Sequence, residues 1–284
     1  MKYYVVIPAH NEEAFISLTL ESIINQTILP KKLIIVNDNS TDKTESIIDD
    51  YISKFNFIQK VNTKSSTEHI PGSKVVNAFN KGLEVLDTNY DFIVKLDADL
   101  ILPKNYFETI TNIFKTNKNI GLAGGFVYEL DKNKIWKLNH PMNKDHVRGA
   151  FKAYSKVCFN AIGGLKSSMG WDTVDELLTK YHGFEIYTDS SLKVKHLRPV
   201  GKSYNKKAKL LQGEAMYKMR YGFILSSIAS AKMAWKQKKY QTFIDNLKGF
   251  FNAKNKKLPY LVNKKEGKFI RKYRFNGILN KLKG

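Results

Sequence analysis

Short apolar runs alternate with amphipathic segments through the first hundred positions of this chain. Each run is continuous and bounded by polar or turn-forming residues, which predicts strands at 3–9, 33–37, 57–61 and 93–97. Between them, apolar residues recur at helical spacing over 16–24, 47–52 and 73–86. Asn39, Ser40 and Thr41 are the predicted N-caps of the second of these helices. Strands that alternate with helices imply right-handed crossovers and a mostly parallel α/β sheet.

The last of these runs, IVKLDADL at 93–100, delivers Asp97 and Asp99 to the carboxyl end of its strand. In open α/β sheets, ligands bind outside the carboxyl ends of the strands. Two carboxylates at that point suit Mg²⁺ or Mn²⁺ bridging a diphosphate. The alternative is a solvated acidic turn, which is common in loops. Position after a buried strand favours the ligand site.

Three segments in order, VVIPAHNEE, IIVNDNSTDKT and KLDADL, closely resemble the family 2 glycosyltransferases. The resemblance covers roughly residues 1–200 and implies the GT-A fold. It also implies an inverting, metal-dependent transfer of sugar from a nucleotide-diphosphate donor, a UDP- or GDP-sugar, to a glycan or lipid-linked acceptor. The donor-site residues it implies are Pro8, Ala9 and Glu12 around the nucleoside, Asp38 on the base, and Asp97 and Asp99 as ribose and metal ligands, with Asp99 the more direct metal contact.

Three residues, His196, Lys74 and Glu12, could either bind a ligand or have a purely structural role. His196, in VKHLRP at the end of a predicted strand, is a metal or diphosphate ligand by resemblance or a satisfied structural histidine. Lys74 reaches the diphosphate or is solvated at a helix start. Glu12, like its neighbour Glu13, also fits as favourable charge in a first helical turn, which is our preferred interpretation for Glu13.

The predicted helix at 171–181 holds the candidate base. In the family, an acidic residue that opens this helix deprotonates the acceptor hydroxyl, and Asp172 is the matching position. Tryptophan stands here where the family commonly has glutamate, so Asp175 and Glu176 remain alternatives. A carboxylate at this point also complements the helix dipole without any catalytic role. One base suffices, because an inverting in-line displacement needs no covalent enzyme intermediate.

The acceptor side is expected near RGAFKAYSK at 148–156, a segment that alternates as a strand does. By resemblance, Arg148 and Lys152 would contact an anionic acceptor. Exposed strand charges are the simpler explanation.

Charge divides the chain near residue 200. Residues 201–284 contain 22 Lys and Arg against three acids, whereas the first 200 residues are nearly balanced, and the whole chain carries +21. Among these lysines, Phe243, Leu247, Phe250, Phe251, Phe269, Ile270 and other apolar residues recur at helical spacing. Such segments suit an anionic membrane surface or packing on the catalytic domain. Nucleic acid is disfavoured, because no nucleic-acid fold motif accompanies the charge.

Composition limits the remaining choices. Cys158 is the only cysteine, so a reducing compartment is natural. Because the first predicted strand begins at residue 3, we expect no secretory signal before it. The most apolar later stretch, 221–235, has 15 residues, whereas a membrane span needs about 20. We expect a cytoplasmic protein or one on the inner face of the membrane.

The sequence therefore predicts a GT-A catalytic domain at 1–200, with a nucleotide-sugar half to about 100, and a basic helical extension at 201–284. A boundary is expected at 201–209. The alternative functions are a nucleotidyltransferase and a non-catalytic nucleotide-sugar-binding protein. A nucleotidyltransferase would carry a glycine-rich basic loop after its first strand, and PAHNEE is neither glycine-rich nor basic. A binding protein would lack a metal site, which Asp97 and Asp99 argue against.

Overall fold

The computed structural model describes residues 1–65, 72–139, 145–198 and 208–283. These residues divide into two compact units. The sheet unit comprises the described parts of 1–69, 74–165 and 182–200. The helical unit comprises residues 72–73, 166–181 and 208–283.

Strands and helices alternate along the sheet unit, and helices alone make up the rest. The strands are β1 Tyr3–Ala9, β2 Lys32–Asp38, β3 Ile58–Thr63, β4 Phe92–Leu96, β5 Leu100–Ile101, β6 Ile120–Leu130, β7 Trp136–Leu138, β8 Phe151–Ser155 and β9 Glu185–His196. The helices are α1 Ile16–Ile24, α2 Thr44–Ile52, α3 Ser73–Glu84, α4 Tyr106–Thr116, α5 Lys156–Ala161, α6 Trp171–Tyr181, α7 Ala208–Lys218, α8 Gly222–Gln237, α9 Tyr240–Asn255 and α10 Lys264–Lys283.

One sheet holds all nine strands of the described residues, in the order β3-β2-β1-β4-β8-β6-β9-β5, with β7 paired to β6. The half built from the first hundred residues is parallel, since β1 pairs with β2 and β4, and β2 with β3. Beyond β4 the sheet is mixed: β8 runs antiparallel to β4 and β6, and β9 runs parallel to β6. The predicted α/β alternation is therefore confirmed.

The core lies on both faces of the parallel half. Val6 and Val36, on neighbouring strands, are fully buried, as expected where helices cover a parallel sheet on both sides. Gly82 brings α3 down onto these strands, because a Cβ at that position would lie 2.5 Å from Val6 Cγ1 and 2.9 Å from Val36 Cγ2. This close packing of α3 supports β1 and β2, whose carboxyl ends carry predicted site residues.

Two local expectations are wrong. Helix α2 begins with Lys43 as its N-cap residue, although Asn39, Ser40 and Thr41 were the predicted caps. The backbone amide of Thr41 donates instead to Asn11 Oδ1, and Ser40 Oγ accepts from the Asn11 amide, so the segment is used to join two loops. Helix α1 begins at Ile16, so the acidic residues at 12 and 13 precede its first turn.

The predicted exposure of the charges on β8 is also wrong. Lys152 is fully buried, as are its neighbours Phe151 and Ala153. The physical reason is that β8 pairs on both sides, with β4 and with β6, and so lies in the interior of the sheet. Arg148 precedes the strand.

The helical unit packs through aromatic contacts and close backbone approach. Phe250 of α9 is buried against the ring of Tyr217 of α7, with ring centroids 5.8 Å apart. Helix α6 packs with α10, where the rings of Tyr181 and Phe269 lie 5.5 Å apart. Several aromatic residues of the basic region therefore stabilise its own core.

The sequence boundary expected at 201–209 falls mostly on residues 201–207, which lie outside the described residues, and the domain limits stay a prediction. Across the part of the chain that the structure describes, no helix combines the length and the apolar character that crossing a bilayer requires.

Candidate active site

The carboxyl ends of β1, β2 and β4 lie along one edge of the sheet, since the three strands are parallel neighbours. Asp38 ends β2, and Asp97 directly follows β4. The short strand β5 then pairs with β9, with Leu100 opposite His196. Topology thus brings together residues that are distant in the sequence, including the predicted histidine.

The loops that follow β1 and β2 are tied to each other. His10 Nδ1 lies 2.6 Å from the carbonyl oxygen of Asp38, and the Glu12 amide donates to Thr44 Oγ1 at 2.7 Å. The Glu13 carboxylate accepts from the Lys43 amide at 3.0 Å, which gives it a structural role in the loop. These bonds hold the residues of the expected nucleoside site on a fixed frame.

Asp38 is buried at the end of β2. One carboxyl oxygen, Oδ1, accepts a hydrogen bond from the Ser65 amide at 2.7 Å. Because an ionised carboxylate has about four lone-pair positions, Asp38 keeps capacity to accept from a donor base.

A buried threonine and a buried lysine support the turn that carries Asp97 and Asp99. Thr19 of α1 donates to the Ala98 carbonyl at 2.7 Å and accepts from the Leu100 amide at 3.0 Å. Lys95 of β4 pairs with Asp97 through its ammonium group, which also donates to the Gly149 carbonyl. The ammonium group of Lys95 therefore balances the charge of Asp97. Asp99 faces His196 and Arg198 instead.

Asp99 begins a chain of charged side chains across β9 and β6. Its Oδ2 lies 3.3 Å from His196 Nε2, and the other ring nitrogen, Nδ1, lies 3.7 Å from Glu129 Oε1. Glu129 in turn accepts from Arg148 Nη2 at 3.0 Å. His196 Nδ1 is buried and has no hydrogen-bond partner among the described residues.

Burial lowers the pKa of His196, but the hydrogen bond and negative charge of Asp99, together with the charges of Asp97 and Glu129, outweigh it. The net result is a raised pKa. The surrounding carboxylates thus favour the protonated form of the ring.

Arg198 connects Asp99 to the first loop. Its Nη2 lies 2.5 Å from Glu12 Oε2, and its Nε lies 3.9 Å from Asp99 Oδ2. Burial raises the pKa of Glu12 to about 7, with Arg198 opposing the shift and Asp99 adding to it. Arg198 therefore balances part of the negative charge that these loops bring together, and about half of its side chain stays exposed to a ligand.

Asp99 and His196 have the spacing of two adjacent metal ligands. Adjacent corners of an octahedron with bonds of 2.0–2.1 Å are about 3 Å apart, close to the 3.3 Å between Oδ2 and Nε2. Within the described residues, no group of three or more His, Cys, Asp or Glu side chains could hold a metal ion. An ion here would take its other ligands from phosphate oxygens and water, as Mg²⁺ and Mn²⁺ often do.

The candidate base lies in the helical unit. Asp172 is in the first turn of α6 and half-buried, whereas Asp175 is almost fully buried and its Oδ1 accepts from the Glu176 amide at 2.6 Å. Gly170, with φ 76°, turns the chain into the helix. The predicted helix bounds, 171–181, are confirmed.

Other predicted site residues take up varied positions. Pro8 is half-buried and Ala9 buried at the end of β1, while Lys74 is half-buried in the first turn of α3. Arg148 is engaged by Glu129, and Lys152 lies directly opposite Lys95 across β4 and β8. Their contacts with substrates stay predictions.

Lys95, Thr19 and Glu129 belong to this site but were not predicted from the sequence. Lys95 was visible as the one charge inside an apolar strand, and that signal alone could have identified it. Thr19 carries no such signal, because a threonine on the buried side of a helix is ordinary. Glu129 lies in a long strand whose neighbour, β9, follows more than fifty residues later.

Comparison with known proteins decides the family. The family description Glycosyl transferase family 2 matches residues 4–168, more than half of the chain. The chain belongs to glycosyl transferase family 2. This confirms the resemblance carried by the three motifs.

Two curated relatives from Bacillus subtilis match shorter segments. The probable glycosyltransferase YdaM is 40% identical over 101 residues, which is 34% of this chain and 23% of YdaM. The minor teichoic acid biosynthesis protein GgaB is 35% identical over 119 residues, 41% of this chain and 12% of GgaB. The chain thus spans less than a quarter of the length of either relative.

Solved structures confirm the GT-A-type fold. Residues 1–349 of S. aureus TarS, in complex with UDP-GlcNAc, align with TM-score 0.58 at 18% identity over 80% of this chain and 66% of that one. The mannosyltransferase PcManGT from Pyrobaculum calidifontis, in complex with GDP-Man and Mn²⁺, aligns with TM-score 0.57 at 16% identity over 89% and 75%.

Proposed function

We propose that this chain transfers a sugar from a nucleotide-diphosphate donor to a hydroxyl of a glycan or lipid-linked acceptor, with inversion and with Mn²⁺ or Mg²⁺. The observation that carries the proposal is the pair of potential metal ligands, Asp99 Oδ2 and His196 Nε2. These atoms lie 3.3 Å apart near the carboxyl ends of the parallel strands, in a member of this family. TarS with UDP-GlcNAc and PcManGT with GDP-Man support a UDP- or GDP-sugar as the donor.

The donor nucleoside would lie against the two joined loops. Asp38 would accept a hydrogen bond from the base, while Pro8 and Ala9 would contact the nucleoside through the chain end of β1. Asp97 would bind the ribose, held in position by Lys95. A preformed frame of this kind limits the entropy lost when the donor binds.

The diphosphate would lie at Asp99, His196 and Arg198. A divalent cation held by Asp99 and His196 would stabilise the negative charge that develops on the departing nucleotide. Arg198 is suited to donate to a phosphate oxygen, because guanidinium groups bind phosphate in a bidentate manner and it already lies beside Asp99. Lys74 would add a further positive charge.

Among the α6 carboxylates, Asp172 is the best candidate for the base. It is less buried than Asp175, so an acceptor hydroxyl can approach it. A carboxylate that takes the acceptor proton makes the oxygen nucleophilic for attack opposite the leaving diphosphate. Glycan synthesis is the proposed context, because GgaB is named for minor teichoic acid biosynthesis.

A panel of nucleotide-sugars tests the proposal. With Mn²⁺ present, one UDP- or GDP-sugar should raise the melting temperature and be slowly hydrolysed, and EDTA should abolish both effects. Release of pyrophosphate from a nucleoside triphosphate and a sugar phosphate would instead identify a nucleotidyltransferase. Stabilisation without hydrolysis or transfer to any acceptor would identify a binding protein.

A further inference from the structure

Helices α8 and α9 form a hairpin whose outer side is apolar. On α8, Ile224, Ile228 and Trp235 are exposed, and on α9 Tyr240 and Ile244 are exposed. Residues 224, 228 and 235 lie within about 40° of one another on a helix of 3.6 residues per turn. These five residues, with Phe223 and Phe251, are called the hairpin face below.

The two helices of the hairpin face meet at Phe223 and Phe251. The rings of Phe223 on α8 and Phe251 on α9 lie 5.6 Å apart. Exposure is greatest at the tip of the hairpin, where Trp235 is 87% exposed and Tyr240 73%. Scattered exposed apolar residues are ordinary on a protein surface, but a contiguous apolar patch indicates an interaction site.

These helices already bury a separate set of residues. Leu225 and Ser230 of α8, and Gly249 and Phe250 of α9, face the interior of the helical unit. The hairpin face is therefore additional to the core of the unit. A helix that is apolar on both sides needs a second apolar environment.

Lysines surround the tip of the hairpin. A cleft of 660 Å³ opens there, lined by Trp235, Tyr240 and Phe243 together with Lys238 and Lys239. Two further exposed lysines, at 232 and 236, lie on the last turns of α8. Within the described chain, none of these four lysines pairs with a carboxylate, so their charge is available to an anionic partner.

We propose that the hairpin face is a docking surface for an anionic lipid bilayer. Tryptophan and tyrosine favour the headgroup level of a membrane, and lysines beside them are attracted to anionic lipids. The exposed isoleucines enter the boundary between headgroups and acyl chains, which buries their apolar surface. This surface differs from the predicted one, because Phe250 and Ile270 of the basic region are buried in the unit.

Other occupants fit the hairpin face less well. A nucleic acid would match the lysines but offers no hydrocarbon to the isoleucines. A second copy of this chain would match the isoleucines but would bring two sets of four lysines together, and like charges facing each other disfavour association. A bilayer with anionic headgroups satisfies both features.

The test uses the full chain with vesicles of phosphatidylcholine, with and without phosphatidylglycerol. Binding is measured by cosedimentation, and contact with the bilayer by quenching of tryptophan emission with brominated acyl chains. We expect binding to the anionic vesicles, weakening as salt rises, with quenching that the Trp235→Phe variant loses while it still binds. Binding to neither vesicle, or equal binding to both, would overturn the proposal.

Matched variants locate the surface. Lys238→Glu with Lys239→Glu should lower the partition coefficient roughly tenfold or more, whereas Lys264→Glu with Lys265→Glu, the same charge change on exposed residues of α10, should lower it far less. An equal loss in both pairs would overturn the assignment to the hairpin.

An apolar pair completes the test. Trp235→Ser with Tyr240→Ser should lower the bound fraction in cosedimentation with anionic vesicles, while Ile135→Ser, at an exposed site of the sheet unit, should leave it unchanged. Circular dichroism should show all variants folded, because the changed residues are exposed. If light scattering shows a dimer that Trp235→Ser dissociates, or if duplex DNA displaces the chain from vesicles at physiological salt, another occupant covers the face and the proposal fails.

Discussion

Replacing Gly249 by alanine should destabilise the helical unit, although helix propensity alone predicts the opposite. A Cβ at Gly249 of α9 would lie 2.0 Å from the Leu210 carbonyl oxygen of α7, and one at Gly213 of α7 would lie 1.7 Å from the Asn246 carbonyl oxygen. The two helix backbones are thus in direct contact, and each glycine makes room for the other helix. Ordinary contact begins at 3.4 Å, so the alanine forces the helices apart by more than an ångström.

The expected size follows from two opposing effects. Overpacking costs about 1–3 kcal/mol, and the upper end applies here because a backbone carbonyl cannot rotate away as a side chain can. Alanine regains about 1 kcal/mol of helix propensity relative to glycine. We therefore expect Gly249→Ala to lower the free energy of unfolding by about 2 kcal/mol.

Urea unfolding followed by circular dichroism measures this change, with Gly277→Ala as the control. Gly277 of α10 has no heavy atom within 4 Å of its virtual Cβ, so alanine there should raise the free energy of unfolding by up to about 1 kcal/mol. If Gly249→Ala stabilises the protein as Gly277→Ala does, the close packing of α7 against α9 is refuted.

Three other substitutions test the site. Thr19→Val removes both hydrogen bonds to the turn before Leu100, so it should cost about 1–3 kcal/mol in urea unfolding and weaken Mn²⁺ binding; an unchanged Mn²⁺ titration would contradict this role. Asp172→Asn should lower kcat by about 10²–10⁴-fold with little change in donor affinity; if it stays active and Asp175→Asn is inactive, the base lies one helical turn further on. Lys95→Met leaves Asp97 without its cation, so it should raise the KM for the sugar donor and lower the free energy of unfolding by about 1–3 kcal/mol. This cost is less than for a fully buried pair, because 31% of the Asp97 side chain is exposed. Wild-type kinetics would show that Lys95 does not position Asp97.

Features set by local pattern were predictable from the sequence. The α/β alternation, the bounds of α6 and the position of Asp97 and Asp99 after a strand depend on runs and periods within a few residues. Local signals also identified His196 as the end of a strand.

Features set by long-range pairing were not predictable. Lys152 looked exposed because its segment alternates, but the insertion of β8 between β4 and β6 buries it. Glu129 meets His196 only through the pairing of β6 with β9. In the basic region, periodicity showed that Phe250 and Phe251 lie on helices, but only packing decides that the first is buried and the second exposed.

Mn²⁺-dependent turnover of the donor by Asp99→Asn, compared with Asp50→Asn, tests the central proposal most directly. Asp50 is an exposed carboxylate on α2, so its variant should keep wild-type activity at limiting Mn²⁺. The Asp99→Asn variant should remain folded by circular dichroism, lose Mn²⁺-dependent transfer and bind Mn²⁺ more weakly in calorimetry. Normal turnover by folded Asp99→Asn at limiting Mn²⁺ would contradict the metal assignment and the mechanism built on it.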